Sequence, residues 1–322
     1  MSAKNVLVTG GSGFGGSYLV SRLIERGDRV WNFDLVAPTP ARMALLPAVA
    51  AATYVHGDCR NLELLATLLH KNGIDEVFHL AAQPIVPLSI VLPFETLVNN
   101  AVGAYSVLEA VRLVPVGATV VASSGAYYGT TTQPGLISES APPLPASNLY
   151  APGKVAADLA AQSYAMTFGL PIGVCRFMNT YGPGDDNTSR LVPRALELLL
   201  AGGAYDFGDR DDGSTRLDFL HVSDMTSAYL RVADHVREVG GTDAVFNIGT
   251  GVGTETREIV SLMSRLFDGQ VREPIFRGPR RAVRVEKVLD VSKARDVLRW
   301  EASLTTACGL QTLFGWANTS DF

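Results

Sequence analysis

Charged side chains are scarce in this chain: Asp, Glu, Lys and Arg make up 18% of 322 residues, and lysine is the rarest of them, five residues against 22 arginines. Basic and acidic groups number 27 and 32, a formal net charge of −5. A chain without a basic excess lacks the field that phosphate-backbone binding requires, so nucleic acid is excluded as a partner. Cysteine is nearly absent. Cys59, Cys175 and Cys308 are odd in number, far apart and outside any CxxC pattern, which argues against a disulfide scaffold or zinc knuckle and for a reducing compartment. The five histidines are scattered, with none at the i, i+4 spacing of a helical metal pair, so no metal site is expected.

Long apolar runs are missing too. Val6–Val8 passes straight into Gly10 without the apolar core of a secretory signal, and the longest uncharged stretch, 113–138, is broken by Pro, Gly, Ser and Thr. A membrane helix needs about 20 mostly apolar residues. The expectation is a soluble, cytoplasmic protein with no membrane partner. Internal repeats and low-complexity segments are also lacking. What is present is apolar residue in quantity, 47% of the chain, enough for a sizeable core rather than disorder.

That apolar content has an α/β rhythm. Val6–Thr9, Arg29–Phe33, Thr53–His56, Glu76–Leu80, Thr119–Ser123 and Ile172–Phe177 read as short strands, several separated by segments of helical length. Strand, helix, strand in series predicts a doubly wound parallel sheet of Rossmann type, because a crossover helix is how parallel neighbours are joined. Beyond about residue 176, Gly/Asp-rich loops interrupt the pattern; Pro193–Ala201 and Thr256–Leu266 read as helices and Val245–Ile248 as a strand that could rejoin the first sheet. The expected division is a dinucleotide-binding part at 1–175, with returning segments near 216–248, and a smaller, partly discontinuous substrate-binding part at 176–322. Residues 318–322 are expected to fray.

The first strand leads into Gly10-Gly11-Ser12-Gly13-Phe14-Gly15-Gly16, followed by a helix, with Asp34 closing the next strand about 20 residues on. Such a turn lets a pyrophosphate approach main-chain N–H groups at a helix N-terminus. A carboxylate at Asp34 would hydrogen-bond the adenosine ribose and repel a 2′-phosphate, which favours NAD over NADP. Tyr150 and Lys154, four apart, share a helical face. A phenol beside an ammonium can serve as a proton acceptor near neutral pH. Ser124, at the carboxyl end of an apolar strand, lies where open α/β sheets bind ligands and completes a catalytic set.

These segments give the chain a family resemblance. Gly10/Gly13/Gly16, Asp34, Gly57-Asp58, His79-Leu80-Ala81-Ala82-Gln83, Asn100 with Gly103, Ser123-Ser124, Tyr128-Gly129, Tyr150/Lys154, Arg176 to Gly184, Asp218 to Val222 and Asn247-Ile248-Gly249 occur in the order found in extended short-chain dehydrogenases/reductases of the nucleotide-sugar epimerase/dehydratase group, which the chain resembles over essentially its whole length. The resemblance implies a cofactor site of Gly10, Gly13, Phe14, Gly16, Asp34, Asp58, Cys59, Leu80, Ala81, Ala82, Asn100, Ser123, Tyr150, Lys154 and Phe177. It implies a nucleotide-sugar site of Gln83, Ala126, Asn179, Arg190, Leu191, Arg216 and Arg280, with Arg176 also near the cleft as a candidate diphosphate partner. It also implies a homodimer built as a four-helix bundle from helices near 94–112 and 151–166.

The reaction is narrowed by two small residues. Gly125 and Ala126 occupy the positions where 4,6-dehydratases of the family carry proton-transferring side chains, which disfavours dehydration and leaves chemistry that needs only Ser124, Tyr150, Lys154 and NAD. A C4 epimerase is the first reading, with Tyr150 as base. A 4-keto-6-deoxyhexose reductase, a dehydratase with relocated acid/base groups and a non-catalytic NAD-binding sensor remain as alternatives. Two departures from the family pattern are notable: Gly15 stands where a large aliphatic residue is usual, and Leu217 stands where a phosphate-binding Arg is expected, Arg216 being one residue early.

Overall fold

The computed structural model describes residues 3–129, 135–209, 211–280 and 285–317. In chain order the first elements are β1 (Asn5–Thr9), α1 (Phe14–Glu25), β2 (Arg29–Asp34), α2 (Pro40–Leu45), β3 (Thr53–His56), α3 (Leu62–Asn72), β4 (Glu76–His79), α4 (Val86–Val91), α5 (Pro93–Leu97), α6 (Gly103–Leu113), β5 (Ala118–Ser124), α7 (Tyr150–Phe168) and β6 (Ile172–Phe177). Then follow β7 (Thr180–Tyr181), α8 (Leu191–Ala201), β8 (Arg216–Asp218), β9 (Leu220–His221), α9 (Val222–Val239), β10 (Val245–Ile248), β11 (Gly253–Glu255), α10 (Thr256–Asp268), β12 (Glu286–Lys287), α11 (Ser292–Leu298) and α12 (Thr306–Ala317). The stretch read as one helix near 94–112 is α5 and α6 joined through a π turn at Val98–Val102.

Seven strands form one parallel sheet in the order β10-β6-β5-β4-β1-β2-β3. The order reverses between β1 and β4, which creates the crevice at the carboxyl edge where doubly wound sheets take ligands. The two apolar faces explain the near-continuous hydrophobic strands: β4 and β6 are buried along their whole length. One face packs on α1 and α9 through residues such as Leu19, Val20, Tyr229 and Val232. The other packs on α3, α6 and α7 through Leu65, Val107 and Ala161. The sheet takes strands from both sides of residue 175, since β6 runs to Phe177 and β10 adds beyond it, Val245 opposite Val174. A further core joins α8, α10 and α12 through Leu196, Ile259, Met263 and Leu313. Residues 318–322 lie outside the described part. Among the described residues, no helix is long and apolar enough to cross a membrane, and no group of three His, Cys, Asp or Glu is placed to hold a metal ion.

At the amino edge of the sheet, away from the crevice, the Glu76 carboxylate is fully buried and meets Lys4 at 2.7 Å and Arg26 at 3.1 Å, with Arg237 also paired to it. Burial alone would raise this carboxyl, but the three cations outweigh it and hold its pKa below the ordinary value of 4.5. A depressed carboxyl stabilises the fold above the unfolded-state pKa, and that contribution is lost as pH falls through the folded value. Glu76→Gln should therefore cost about 3 kcal/mol at pH 7, the low end for a broken buried pair because its cations are partly exposed. Chemical denaturation at neutral and acidic pH should show the gap between variant and wild type closing below about pH 4.

Candidate active site

A cleft of about 1340 Å³ runs along the carboxyl edge of the sheet and is lined by the glycine turn, the ends of β2, β4 and β5, the start of α7 and the segments around β7 and α8. Gly10 has φ +73°, and a Cβ there would lie 2.6 Å from the Ala81 amide nitrogen. A Cβ on Gly16 would collide with the Gly10 carbonyl. The turn thus needs bare backbone at both positions, and it leaves α1 opening on Gly13 with no side chain capping its N-terminus, free for an anion. Asp34 accepts a hydrogen bond from the Ser12 amide at 3.0 Å, which fixes its carboxylate at the end of β2 beside the turn. Asp58 is held by Arg60, whose Nε lies 2.9 Å from its Oδ2.

Gly15 also lines this cleft, and the side chain it lacks is replaced from elsewhere. Met225 of α9 places its Cε 2.7 Å from where a Gly15 Cβ would sit. The space that a large aliphatic residue at Gly15 would fill is taken by a thioether, an adaptable apolar side chain.

Ser124, Tyr150 and Lys154, the candidate proton-transfer set, come together at the strand end. Tyr150 and Lys154 are one turn apart at the start of α7, whose first turn is tied down by the Ala151 amide donating to Asn148 Oδ1 at 3.1 Å. Lys154 is buried and its ammonium donates to the Ala122 carbonyl of β5 at 2.8 Å. Burial pulls Lys154 down to about 8, against the pull of Asp158 that favours its charge. Burial likewise raises the Tyr150 phenol above its ordinary value; the Ser124 hydroxyl and the Arg190 guanidinium oppose that rise. The sequence leads us to expect the Lys154 ammonium to favour the phenolate; here the groups that lower Tyr150 are Ser124 and Arg190. Ser124 ends β5 with its Oγ accepting from the Ala126 amide at 3.1 Å, the cap of a 3₁₀ turn at Gly125–Tyr128. Beneath the set, His79 hydrogen-bonds Thr9 through Nδ1 at 2.8 Å, and burial first, then the Lys154 charge, holds its pKa down at about 3.

Most of the residues singled out in the sequence line this cleft: Gly10, Gly13, Phe14, Gly16, Asp34, Asp58, Cys59, Leu80, Ala81, Ala82, Gln83, Ser123, Ser124, Ala126, Tyr150, Lys154, Phe177, Asn179, Arg190 and Leu191. Four expectations differ. Asn100 is buried behind the wall, where its side chain accepts from the Gln83 amide at 2.7 Å and donates to the Gln83 carbonyl; its neighbour Asn99 faces the cleft. Arg216 is turned away by strand alternation, bonding Glu286 at 2.9 Å and the Gly253 carbonyl at 2.7 Å, while Leu217 points inward. Arg280 is exposed and is not among the lining residues. Arg176 is consumed by a buried ion pair with Asp158 at 2.9 Å and has no face toward a ligand.

Sequence reasoning missed Lys287 of β12, which lines the cleft near Leu217, and the segment Pro84–Leu88, which lines its mouth. The rarity of lysine was the one available signal for the first. Asp185 also went unassigned. It is buried in the cleft wall, raised by burial against the opposing pull of Arg190, whose NH1 lies 3.2 Å away.

With a phosphate-accepting turn and a proton-transfer set in one crevice, the fold is that of a dinucleotide-dependent α/β enzyme. The comparisons with known proteins make the assignment specific. The profile of the NAD dependent epimerase/dehydratase family matches residues 6–249, and the chain belongs to that family. A UDP-glucose 4-epimerase of Mycolicibacterium smegmatis is 35% identical over 308 residues, covering 94% of this chain and 95% of that protein. Among solved structures, the UDP-glucose 4-epimerase of Thermotoga maritima with UDP-glucose superposes with TM-score 0.86 at 28% identity, covering 98% and 99% of the two chains. The dTDP-glucose 4,6-dehydratase of Bacillus anthracis in complex with NAD gives TM-score 0.84 at 27% identity, covering 99% and 98%.

The two glycines of the turn separate cleanly by experiment. Gly16→Ala should weaken NAD binding by tenfold or more, about 1.4 kcal/mol, because its Cβ meets backbone that cannot move. Gly15→Ala should change affinity less than about threefold, since only the flexible end of Met225 must shift. Calorimetric titration with NAD checks both.

Proposed function

We propose that this protein is an NAD-dependent nucleotide-sugar 4-epimerase. The observation that carries the reading is the composition of the cleft beside Ser124. Ser124, Tyr150 and Lys154 converge there, whereas the next two positions, Gly125 and Ala126, line the cleft without any group able to move a proton. Among the described lining residues the carboxyls are those of Asp34, Asp58 and Asp185. The first two belong to the adenosine end and the third is tied to Arg190. Likeness to several UDP-glucose 4-epimerases supports the same reading.

The glycine turn would hold the cofactor's diphosphate on its amides, Asp34 its ribose, and Lys154 the nicotinamide ribose. NAD, when bound, supplies a hydride acceptor that can return the hydride. Tyr150, whose pKa the nearby Ser124 hydroxyl lowers, takes the proton from the sugar C4 hydroxyl as the C4–H bond is broken, and gives it back to the same oxygen after the 4-keto sugar has presented its other face. Ser124 donates to the C4 oxygen and orients it. Arg190, at the N-terminus of α8, and Lys287 are the cations placed to meet the diphosphate.

A second copy of the chain belongs to the same reading. Phe94, Val102, Tyr105, Leu159 and Met166, on α5, the π turn, α6 and α7, leave apolar side chains exposed on adjacent helices, the kind of face a two-fold four-helix interface covers. The three free cysteines accord with a reducing cytoplasm.

Incubation with UDP-, dTDP-, GDP- and CDP-hexoses, followed by NMR, should give a C4 epimer from at least one of them. Tyr150→Phe should cut turnover by about 10²–10⁴ with the cofactor still bound. A 4-keto-6-deoxy product would instead favour dehydration, with Asp185 as the relocated acid. Sedimentation should show wild type at twice the 34.3 kDa chain mass and Met166→Glu as monomer; a monomeric wild type would remove the dimer from the reading.

A further inference from the structure

One buried charge cluster lies behind the cleft and meets it only through Ser123, next to Ser124. Tyr150, Lys154 and Asp158 recur at every fourth residue of α7, on one helical face. Asp158 is fully buried and its two oxygens accept four donors. Arg176 of β6 contributes Nε and NH2, each at 2.9 Å, Gln162 contributes its amide at 2.6 Å, and Ser123, next to Ser124 in β5, contributes its hydroxyl. These four donors occupy the acceptor positions of both oxygens.

The pair has a direction. Arg176 approaches Asp158 from the β6 side, where its guanidinium lies 3.5 Å from the centre of the Tyr127 ring and donates to the Tyr128 hydroxyl at 2.9 Å and the Glu139 carbonyl at 3.1 Å. Asp158 lies one helical turn from Lys154 along α7, and its charge favours the charged form of that lysine. Resting on the functional reading above, we propose that Asp158 is the positioning residue for Lys154, keeping its ammonium charged and directed at the Ala122 carbonyl, and so sets the alkaline limit of activity.

The other groups around Lys154 do not supply this charge. Burial leaves His79 of β4 neutral. On β6, the Cys175 thiol is raised by burial and Arg176 is the wrong sign. Burial also raises Tyr127 and Tyr128 on the 3₁₀ turn, so they too stay neutral. β5 and the π turn carry no titratable side chain. On α5 and α6, Glu95 is exposed and Glu109 is engaged by Arg112 at 2.8 Å and Tyr164 at 3.1 Å near the surface. Tyr150, the remaining neighbour, is itself raised by burial.

The test uses the scarcity of lysine. With five lysines in the chain, ¹³C-labelled lysine gives a spectrum in which the Lys154 signal is identified by its loss in Lys154→Arg. The wild-type midpoint should be about 8. Asp158→Asn should lower it by about one unit or more. Because that variant leaves Arg176 buried and unpaired, Asp158→Asn/Arg176→Met is the control: it removes both charges, should fold, and should show a downward shift that is smaller than the single variant's because the arginine's charge is gone too. The alkaline limb of kcat/KM against pH should move with the midpoint, and Asp158→Glu should restore both. An unchanged Lys154 midpoint in the folded double variant would overturn the proposal and leave the pair a purely structural contact. Because the NMR midpoint needs no substrate, failure of the epimerase reading would be seen separately, as absence of turnover with the midpoint shift intact.

Discussion

Helix α7 is pinned across the carboxyl ends of β5 and β6 by buried polar contacts, and the cleft is organised around that seating. Lys154 reaches the Ala122 carbonyl, while Asp158 binds both Ser123 on β5 and Arg176 on β6. Those two residues are themselves paired across the parallel register, Ser123 opposite Arg176. In a low-dielectric interior such contacts are strong when complete and costly when broken, so the helix has one depth and one rotation. Tyr150 then projects at the strand end where Ser124 waits, and the turn carrying Gly125 and Ala126 is fixed from behind by Tyr127 and Tyr128 on Arg176.

The sheet edge supplies the rest of the geometry. Reversal of strand order at β1 and β4 opens the crevice, the glycine turn brings the uncapped N-terminus of α1 to one end of it, and α7 brings Tyr150 and Lys154 to the other. Chemistry is thereby separated from fold stability: Glu76, with its three cations, stabilises the opposite edge, while burial in the crevice pulls Lys154 down and pushes Tyr150 up from their ordinary values.

How much of this could be read from the sequence depended on whether the signal was local. The apolar strand runs, the glycine turn with Asp34 and the Tyr150/Lys154 spacing are short-range patterns dictated by backbone geometry, and they were legible nearly to the residue. Side-chain direction in short or buried elements was not. β8 has three residues, so whether Arg216 or Leu217 faces the cleft is decided by its partners β11 and β12 and by Glu286 and Gly253. Arg176 looks like a phosphate ligand until Asp158, 18 residues earlier, is seen beneath it. Met225 filling the space of Gly15 is a contact across more than two hundred residues, for which the chain offers no local mark.

The most direct measurement is the fate of the hydrogen on C4. A nucleotide sugar deuterated at C4, incubated with the holoenzyme and followed by NMR, should yield the C4 epimer with deuterium retained at C4 and no net change in nicotinamide absorbance. Loss of the label to solvent, transfer of it to C6 of a 4-keto-6-deoxy product, or stoichiometric oxidation of added NADH would contradict the account.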